Sequence, residues 1–504
     1  MTPGHYLYQF LQFQGIRQVF FVPGLSIDPL LHILADTPHL NARMTAHEAG
    51  SGYMALGFSC VTDLPGVVLA TGGPGLSNLA TPVLSARQEK QPLLVITGKM
   101  QPETTLAFQH LSAEDHQLFF KARFHVKQAE QFPELLAQAY AATVQHPQGP
   151  VQLEIPYALQ RQKLVSPLTP SSIGVHKLTS VKPASVQSTF PQIKPDPTLV
   201  WLGAETGLPR KKLLHWLEKN ALRWCTTLAG KGVLPDRHPL SLGVLGFGGD
   251  PSLQEYVLSE AVPQILALGV RFSDRNTLNW HPQLMKKTIY SWGQPPEPFL
   301  EQRAPLAQFY TDKPPVQLLE QSLLPVSSAP SPAPPDCLYG KFLSLLSEEP
   351  VSDWPVFTDA GLCKILAGKY LKIQKPKRFF LSHHVAAMGW GLAAGIGAAA
   401  TRHNPVLVLT GDGSLYMHGL ELAGAVGLPL KIIVHDNGGM QSVLQRRPDH
   451  EAFAKMVDVP ALDWNALLSK VGYHCMDVCS ERDLLAALER LHQPGSVFIR
   501  IVDT

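Results

Sequence analysis

Asn404 to Met440 reads NPVLVLTGDGSLYMHGLELAGAVGLPLKIIVHDNGGM, and the rest of the chain can be read outward from it. Pro405 to Leu409 is a short apolar run of the kind that forms a fully buried parallel strand. Gly411-Asp412-Gly413 ends it, with small residues that let the backbone turn tightly. Ser414 opens a helical pattern that places Leu420, Ala423 and Gly427 on one side. A second apolar run, Leu430 to Val434, leads into His435-Asp436-Asn437-Gly438-Gly439. In a strand-helix-strand crossover both parallel strands point the same way, so the two polar clusters arrive at one sheet edge. A carboxylate and an amide oxygen then meet beside backbone N–H groups at a helix N-terminus, which suits a hard divalent cation bridged to a diphosphate. Taken alone, Gly-Asp-Gly is the sequence of a plain turn. The second cluster, one crossover later, is what argues for a site.

The 504 residues suggest about three domains. A chain that is 45% hydrophobic and 16% charged has the composition of a well-buried globular enzyme. A net charge of +2, from 42 basic and 40 acidic residues with no basic block, gives no reason to expect nucleic acid or a membrane surface as partner. No stretch has the apolar length of a transmembrane helix, and MTPGHYLYQFLQFQG lacks the features of a signal peptide. Six scattered cysteines read as reduced thiols, with Cys475 and Cys479 short of a metal-binding set. The expected location is cytoplasmic.

Two stretches rich in Pro, Ser and Thr, Gln160 to Pro197 and Val326 to Asp336, read as linkers. They leave blocks at 1–163, 190–325 and 338–504. Each alternates apolar runs with helical patterns, so the predicted fold class is α/β with three consecutive parallel-sheet domains. In the first block, Val19 to Val22 is a buried strand that ends at Pro23-Gly24, and Glu48 starts a helix faced with small residues. A Glu in a first turn is favoured there by the helix dipole alone. Thr71-Gly72-Gly73-Pro74-Gly75-Leu76-Ser77-Asn78 is a Gly-rich turn between strand and helix. In the third block, Gly389 to Ala400 mimics a dinucleotide fingerprint, but no long strand precedes it and no acid follows at the right distance. Close helix packing explains its small residues better.

The pairing of Gly411-Asp412-Gly413-Ser414 with Asp436-Asn437, Glu48 in its small-residue helix, the Gly73-Pro74-Gly75 turn and Met388 together closely resemble thiamine diphosphate enzymes. The resemblance covers all three blocks, which it identifies as pyrimidine-binding, central and diphosphate-binding domains. It implies thiamine diphosphate held by Gly24, Gly73, Pro74, Asn78, Gly361, Ala386, Met388, Gly411, Asp412, Gly413, Ser414 and Asn437. It further implies Mg2+ on Asp412, Asn437 and the Gly439 carbonyl. Glu48 would be the catalytic proton relay to pyrimidine N1', which makes the cofactor its own base at thiazolium C2. Met388 would prop the cofactor in its bent shape.

Ala107-Phe108-Gln109 matches the active-site segment of acetolactate (acetohydroxyacid) synthases, which makes Phe108 and Gln109 catalytic candidates. Arg275, after Asp274, matches a residue that helps bind a substrate carboxylate, although an isolated arginine is as readily a surface residue. Four places depart from those synthases. Leu362-Cys363 replaces Gln-His, His383-His384 replaces Gly-Gly, and Arg446 replaces a Trp of the acceptor pocket, so the last three residues become substrate candidates. Thr288 to Gly293 carries no acid where flavin-binding members hold the ribose, which makes FAD doubtful.

The implied activity is decarboxylation of a small-molecule 2-oxo acid with ligation to a second carbonyl compound. A non-ligating decarboxylase or C–C lyase, favoured by the lost Trp and the His pair, is the alternative, and a non-catalytic homologue is a third. Active sites shared between subunits of a homodimer or homotetramer are implied as well.

Overall fold

The structure is a computed structural model that describes residues 1–37, 39–100, 119–165, 193, 196–292, 318–319, 321–327, 333–349, 353–401, 404–444, 451–460 and 462–503. Three all-parallel sheets organise the chain. The first contains β1 (Gln18–Phe21), β2 (Asn41–Met44), β3 (Gly66–Ala70), β4 (Leu93–Lys99), β5 (Ala122–His125) and β6 (Pro150–Pro156), in the order β2-β1-β3-β4-β6-β5. The second contains β7 (Pro197–Leu202), β8 (Trp224–Thr226), β9 (Ser241–Val244), β10 (Gln264–Leu268) and β11 (Thr288–Trp292), in the order β11-β10-β7-β8-β9, with β12 (Leu324–Pro325) beside the start of β7. The third contains β13 (Val356–Thr358), β14 (Phe379–Leu381), β15 (Val406–Gly411), β16 (Leu430–Asp436), β17 (His474–Val478) and β18 (Val497–Val502), in the order β14-β13-β15-β16-β18-β17. The predicted α/β class with three parallel-sheet domains is what the chain adopts.

The central strands are continuous apolar runs because helices cover both faces of each sheet. Val67 to Leu69, Leu93 to Ile96 and Ile432 to Ile433 are fully buried. The first and third sheets have the same order, so each reverses direction between its first and third strands. A crevice opens at such a switch point, at the carboxyl ends of the strands. In the first sheet the loops beginning at Val22 and Thr71 meet there; in the third, those beginning at Asp359 and Asp412 do.

The first and third domains are locked together by two helices, Glu48–Thr62 and Trp390–Ala399. Their crossing is so close that a Cβ built on Gly57 would lie 1.8 Å from the Ala394 carbonyl oxygen, and one on Gly397 would lie 1.9 Å from that of Met54. Close helix packing is therefore the reason for the small residues from Gly389 to Ala400. The middle domain carries a buried ion pair, Lys231 Nζ to Asp236 Oδ2 at 2.8 Å, whose two members both reach the third domain. Lys231 also donates to the Gly368 carbonyl, and Asp236 accepts from the Ile373 N–H.

One expectation is corrected. The helix that follows β15 runs only from Asp412 to His418 and passes into a 3-10 helix, Gly419–Ala425. Across this change of pitch Leu420, Ala423 and Gly427 still share one side, the exposed one, and Leu415, Leu422 and Ala425 face the core. Gly419 permits the change by packing its backbone on Trp464. Among the described residues, no helix is long and apolar enough to cross a membrane.

Candidate active site

At the switch point of the third sheet lies a cleft of about 390 Å³ lined by Gly361, Ala386, Met388, Gly411 to Ser414, Asn437 and Gly439. The two clusters of the 404–440 stretch thus meet across β15 and β16, where Gly411 pairs with His435. Asp412 is half-buried. Its Oδ1 accepts the Gly413 N–H at 2.8 Å, and its Oδ2 accepts the Gly439 N–H at 2.7 Å. Burial raises the Asp412 pKa and the neighbouring Asp436 charge adds to this, while the two N–H bonds and His435 oppose it. A carboxylate held in place with its charge under-compensated is a seat for a cation. Asn437 and Gly439 line the cleft beside it, the Gly439 carbonyl also accepting the Gln441 N–H at 2.9 Å, so the residue types gathered here can offer the hard oxygen donors that Mg2+ takes.

Asp436 has a different role from Asn437. It does not line the cleft, and its carboxylate meets Arg500 at 3.3 Å. Arg500 is bound in turn by Asp477, at 2.8 Å from both Nε and Nη2. The strand end is thereby fixed from behind, and Asn437 is left at the cleft.

The opposite wall depends on Asp359, which sequence reasoning passed over. Its fully buried carboxylate accepts from the Gly391 N–H (2.7 Å), the Leu392 N–H (3.2 Å) and Thr410 Oγ1 (2.8 Å). It joins the start of the Trp390 helix to the end of β15. Burial pushes its pKa up to about 6 against those hydrogen bonds. Between Ser382 and this helix the chain is wound tightly, with Ala386 in the left-handed region at φ 53° and Gly389 at φ 79°. A non-glycine residue held there stores strain, which marks a functional loop. The loop sets Met388 at the cleft, where its Cε would stand 3.4 Å from a Cβ on Gly413.

Glu48, Gly24, Gly73, Pro74 and Asn78 gather at the switch point of the first sheet. Asn78 Nδ2 donates to Glu48 Oε2 at 2.9 Å. Gly75 lies against the other oxygen, since a Cβ there would be 3.2 Å from Glu48 Oε1. Gly24 lets the two loops touch; its Cβ would fall 1.8 Å from Thr71 Cγ2. The backbone just before Glu48 is gripped by Glu421 of the third domain, which accepts the Ala46 and His47 N–H groups at 3.0 and 3.2 Å. Within one chain Glu48 does not line the Asp412 cleft.

Of the substrate candidates, Arg275 lines the Asp412 cleft, with its guanidinium carbon 4.8 Å from the centre of the Phe247 ring. His383 and His384 do not. They line a separate cavity of about 150 Å³ with Glu89, Arg271 and Asn276, where the Glu89 carboxylate accepts both of their backbone N–H groups at 2.7 Å. Burial lowers the His383 pKa to about 3 and that of His384 to about 4, so both rings are neutral at ordinary pH. Phe108, Gln109 and Arg446 lie outside the described residues.

Lys364 was also missed. It is buried at the Asp412 cleft in the first turn of the helix Leu362–Tyr370. The available signal was a lysine on the face of the helix that also carries Cys363, Ala367 and Gly368.

Three family models match the chain in order: the N-terminal TPP binding domain of thiamine pyrophosphate enzymes over residues 1–118, the central domain over 199–291, and the C-terminal TPP binding domain over 359–501. The acetolactate synthase isozyme 1 large subunit of Escherichia coli K12 is 27% identical over 532 residues, covering 99% of this chain and 93% of its own. The isozyme 2 large subunit of the same organism is 28% identical, covering 97% and 93%. Among solved structures, the benzoylformate decarboxylase of Polynucleobacter necessarius has the same fold, with a TM-score of 0.76 at 21% identity, covering 100% of this chain and 98% of its own.

Proposed function

The chain belongs to the thiamine pyrophosphate enzyme family, and on that premise we propose that it uses thiamine diphosphate and Mg2+ to decarboxylate a 2-oxo acid and join the product to a second carbonyl compound, as an acetolactate synthase does. The observation that carries this is the Asp412 carboxylate, fixed by the Gly413 and Gly439 N–H groups beside Asn437. Asp412, Asn437 and the Gly439 carbonyl would hold the metal. Gly361, Ala386, Gly411, Gly413 and Ser414 would border the diphosphate, and Gly24, Gly73, Pro74 and Asn78 the pyrimidine. When bound, the cofactor would supply a nucleophilic ring carbon and an electron sink for the pair left by departing CO2. Glu48, oriented by Asn78, would pass a proton at pyrimidine N1'. Met388 would support the cofactor between its rings, and Arg275 would hold a substrate carboxylate.

The domains are taken as 1–163, 190–325 and 338–504. The separation of Glu48 from the Asp412 cleft supports sites completed by a second copy of the chain. Exposed apolar residues near Glu48 and Glu421 support the same assembly, Met44 being 63% exposed and Leu420 77%. Ligation is favoured over simple decarboxylation by the synthase relatives. Arg446 in place of an apolar wall favours the non-ligating alternative. Flavin is left out because Thr288 to Gly293 offers no carboxylate, and a stoichiometric flavin spectrum from the purified protein would reverse that.

The test has two arms. Saturating thiamine diphosphate with Mg2+ should raise the melting temperature by mass action, and Asp412→Ala should abolish the shift. Incubation of the holoenzyme with pyruvate should then yield acetolactate; acetaldehyde alone would favour the decarboxylase.

A further inference from the structure

Lys364 and Arg275 share one aromatic ring at the Asp412 cleft. The Lys364 ammonium lies 5.6 Å from the centre of the Phe247 ring, and the Arg275 guanidinium carbon lies 4.8 Å from it. Lys364 is 2% exposed, and among the described residues its ammonium makes one hydrogen bond, a long one of 3.5 Å to the Ser382 carbonyl. An ammonium carries three donors. Among the described residues neither cation forms an ion pair. Asp359, the carboxylate of the adjoining strand end, has both oxygens engaged by Gly391, Leu392 and Thr410. Glu89 serves the His383 and His384 backbone. Asp359 and Glu89 act on the Lys364 charge through space, but neither forms an ion pair with it, and two like charges on one ring, one of them buried, are costly without a counter-ion in contact.

The carboxylate of a simple 2-oxo acid leaves as CO2 and asks for one cation at most. A second cation that stays buried through the reaction calls for an anionic group that stays on the substrate. From this juxtaposition, and resting on the proposed 2-oxo acid chemistry, we propose that Lys364 and Arg275 form an anion subsite for the second acid group of the donor, so that the preferred donor is a 2-oxo dicarboxylic acid. Its C1–C2 bond breaks, C1 leaves as CO2, the electron pair remains at C2, and the distal carboxylate is retained between the two cations. Burial and the Arg275 charge lower the Lys364 pKa to about 8, which still leaves the ammonium protonated at neutral pH. A charge-assisted bond to carboxylate restores what burial takes away.

The test compares 2-oxoglutarate with 2-oxovalerate, which has the same chain length and no distal charge, using holoenzyme with thiamine diphosphate and Mg2+. Wild type should show a kcat/KM for CO2 release at least about tenfold higher with 2-oxoglutarate, since a hydrogen bond to a charged group is worth about 1.5–3 kcal/mol. Lys364→Met should collapse that ratio to near one, chiefly through KM. Lys364→Arg, which keeps the charge, should keep most of it.

Calorimetric titration of both acids into the same proteins gives the answer independently of turnover. If no 2-oxo acid is turned over but 2-oxoglutarate binds to wild type and not to Lys364→Met, the proposed reaction falls and the subsite stands. Equal binding or equal kcat/KM of the two acids in wild type overturns the subsite. A tenfold loss of thiamine diphosphate affinity in Lys364→Met, with the substrate ratio intact, overturns it too, by assigning the ammonium to the diphosphate.

Discussion

Gly397→Ala tests the idea that the crossing of the Glu48 and Trp390 helices sets the spacing between the two halves of the site. The added methyl would stand 1.9 Å from the Met54 carbonyl oxygen, whereas ordinary contact begins near 3.4 Å. The helices must therefore part by about 1.5 Å, because backbone cannot swing aside as a side chain can. Overpacking of this kind costs about 1–3 kcal/mol, against about 1 kcal/mol gained from the better helix propensity of Ala. The expected net loss in urea denaturation is about 0–2 kcal/mol. The effect on chemistry should be larger, since a displacement of about 1 Å in a catalytic constellation can lower the rate about 100-fold. Glu48 opens one of the two helices, so the readouts are CO2 release and deuterium exchange at C2 of the bound cofactor. Gly57→Ala meets the same pair of helices from the other side, so the double variant should lose less than the sum of the singles. Gly424→Ala, where a Cβ meets nothing within 4 Å, is the stability control. Wild-type denaturation and wild-type exchange in Gly397→Ala would refute the reasoning.

Glu48→Gln keeps the shape but cannot relay a proton. It should slow C2 exchange by about 100- to 10,000-fold while costing cofactor affinity only about 0.5–1.5 kcal/mol, and equal exchange rates in the two proteins would remove Glu48 from the mechanism. Asp359 is raised from 3.8 to about 6 in the folded state. The stability from its bound proton is full below about pH 4 and is lost as pH rises through 6. Relative to Asp359→Asn, wild type should therefore lose up to about 3 kcal/mol between pH 4 and pH 7, and parallel stability curves for the two proteins would count against that. Lys231→Met leaves Asp236 buried without its cation and should cost about 3–5 kcal/mol in denaturant titration; a loss below about 1 kcal/mol would show the pair to be dispensable.

The strand ends were legible because apolar runs of β15 and β16 stop abruptly at Gly411 and at His435 to Gly439, and parallel order does the rest. Glu48 was legible as the start of a helix. The grip of Glu421 on the backbone before that helix was not, since Ala46 and Glu421 lie 375 residues apart in sequence. Asp359 and Lys364 were hidden for the same reason: what gives each its role is contributed by other elements, Gly391 and Thr410 for one, Phe247 and Arg275 for the other. The early end of the helix after β15 was missed because nothing local announces a change from α to 3-10 pitch at Gly419. His383 and His384 stand next to the Met388 loop in sequence, yet they face a different cavity, because the left-handed turn at Ala386 comes between them.

The grip of Glu421 on the Ala46 and His47 N–H groups also bears on how such a chain can be recombined. Gly50 has no side chain because the carboxylate occupies its space; a Cβ there would lie 2.2 Å from Glu421 Oε1. The first domain therefore carries an imprint of the third. A chimera that joined residues before the Gln160 linker to the third domain of a relative without an acid at this position would leave two backbone donors unpaired beside the proposed proton relay. Shuffling breakpoints within this fold should therefore keep the two outer domains together.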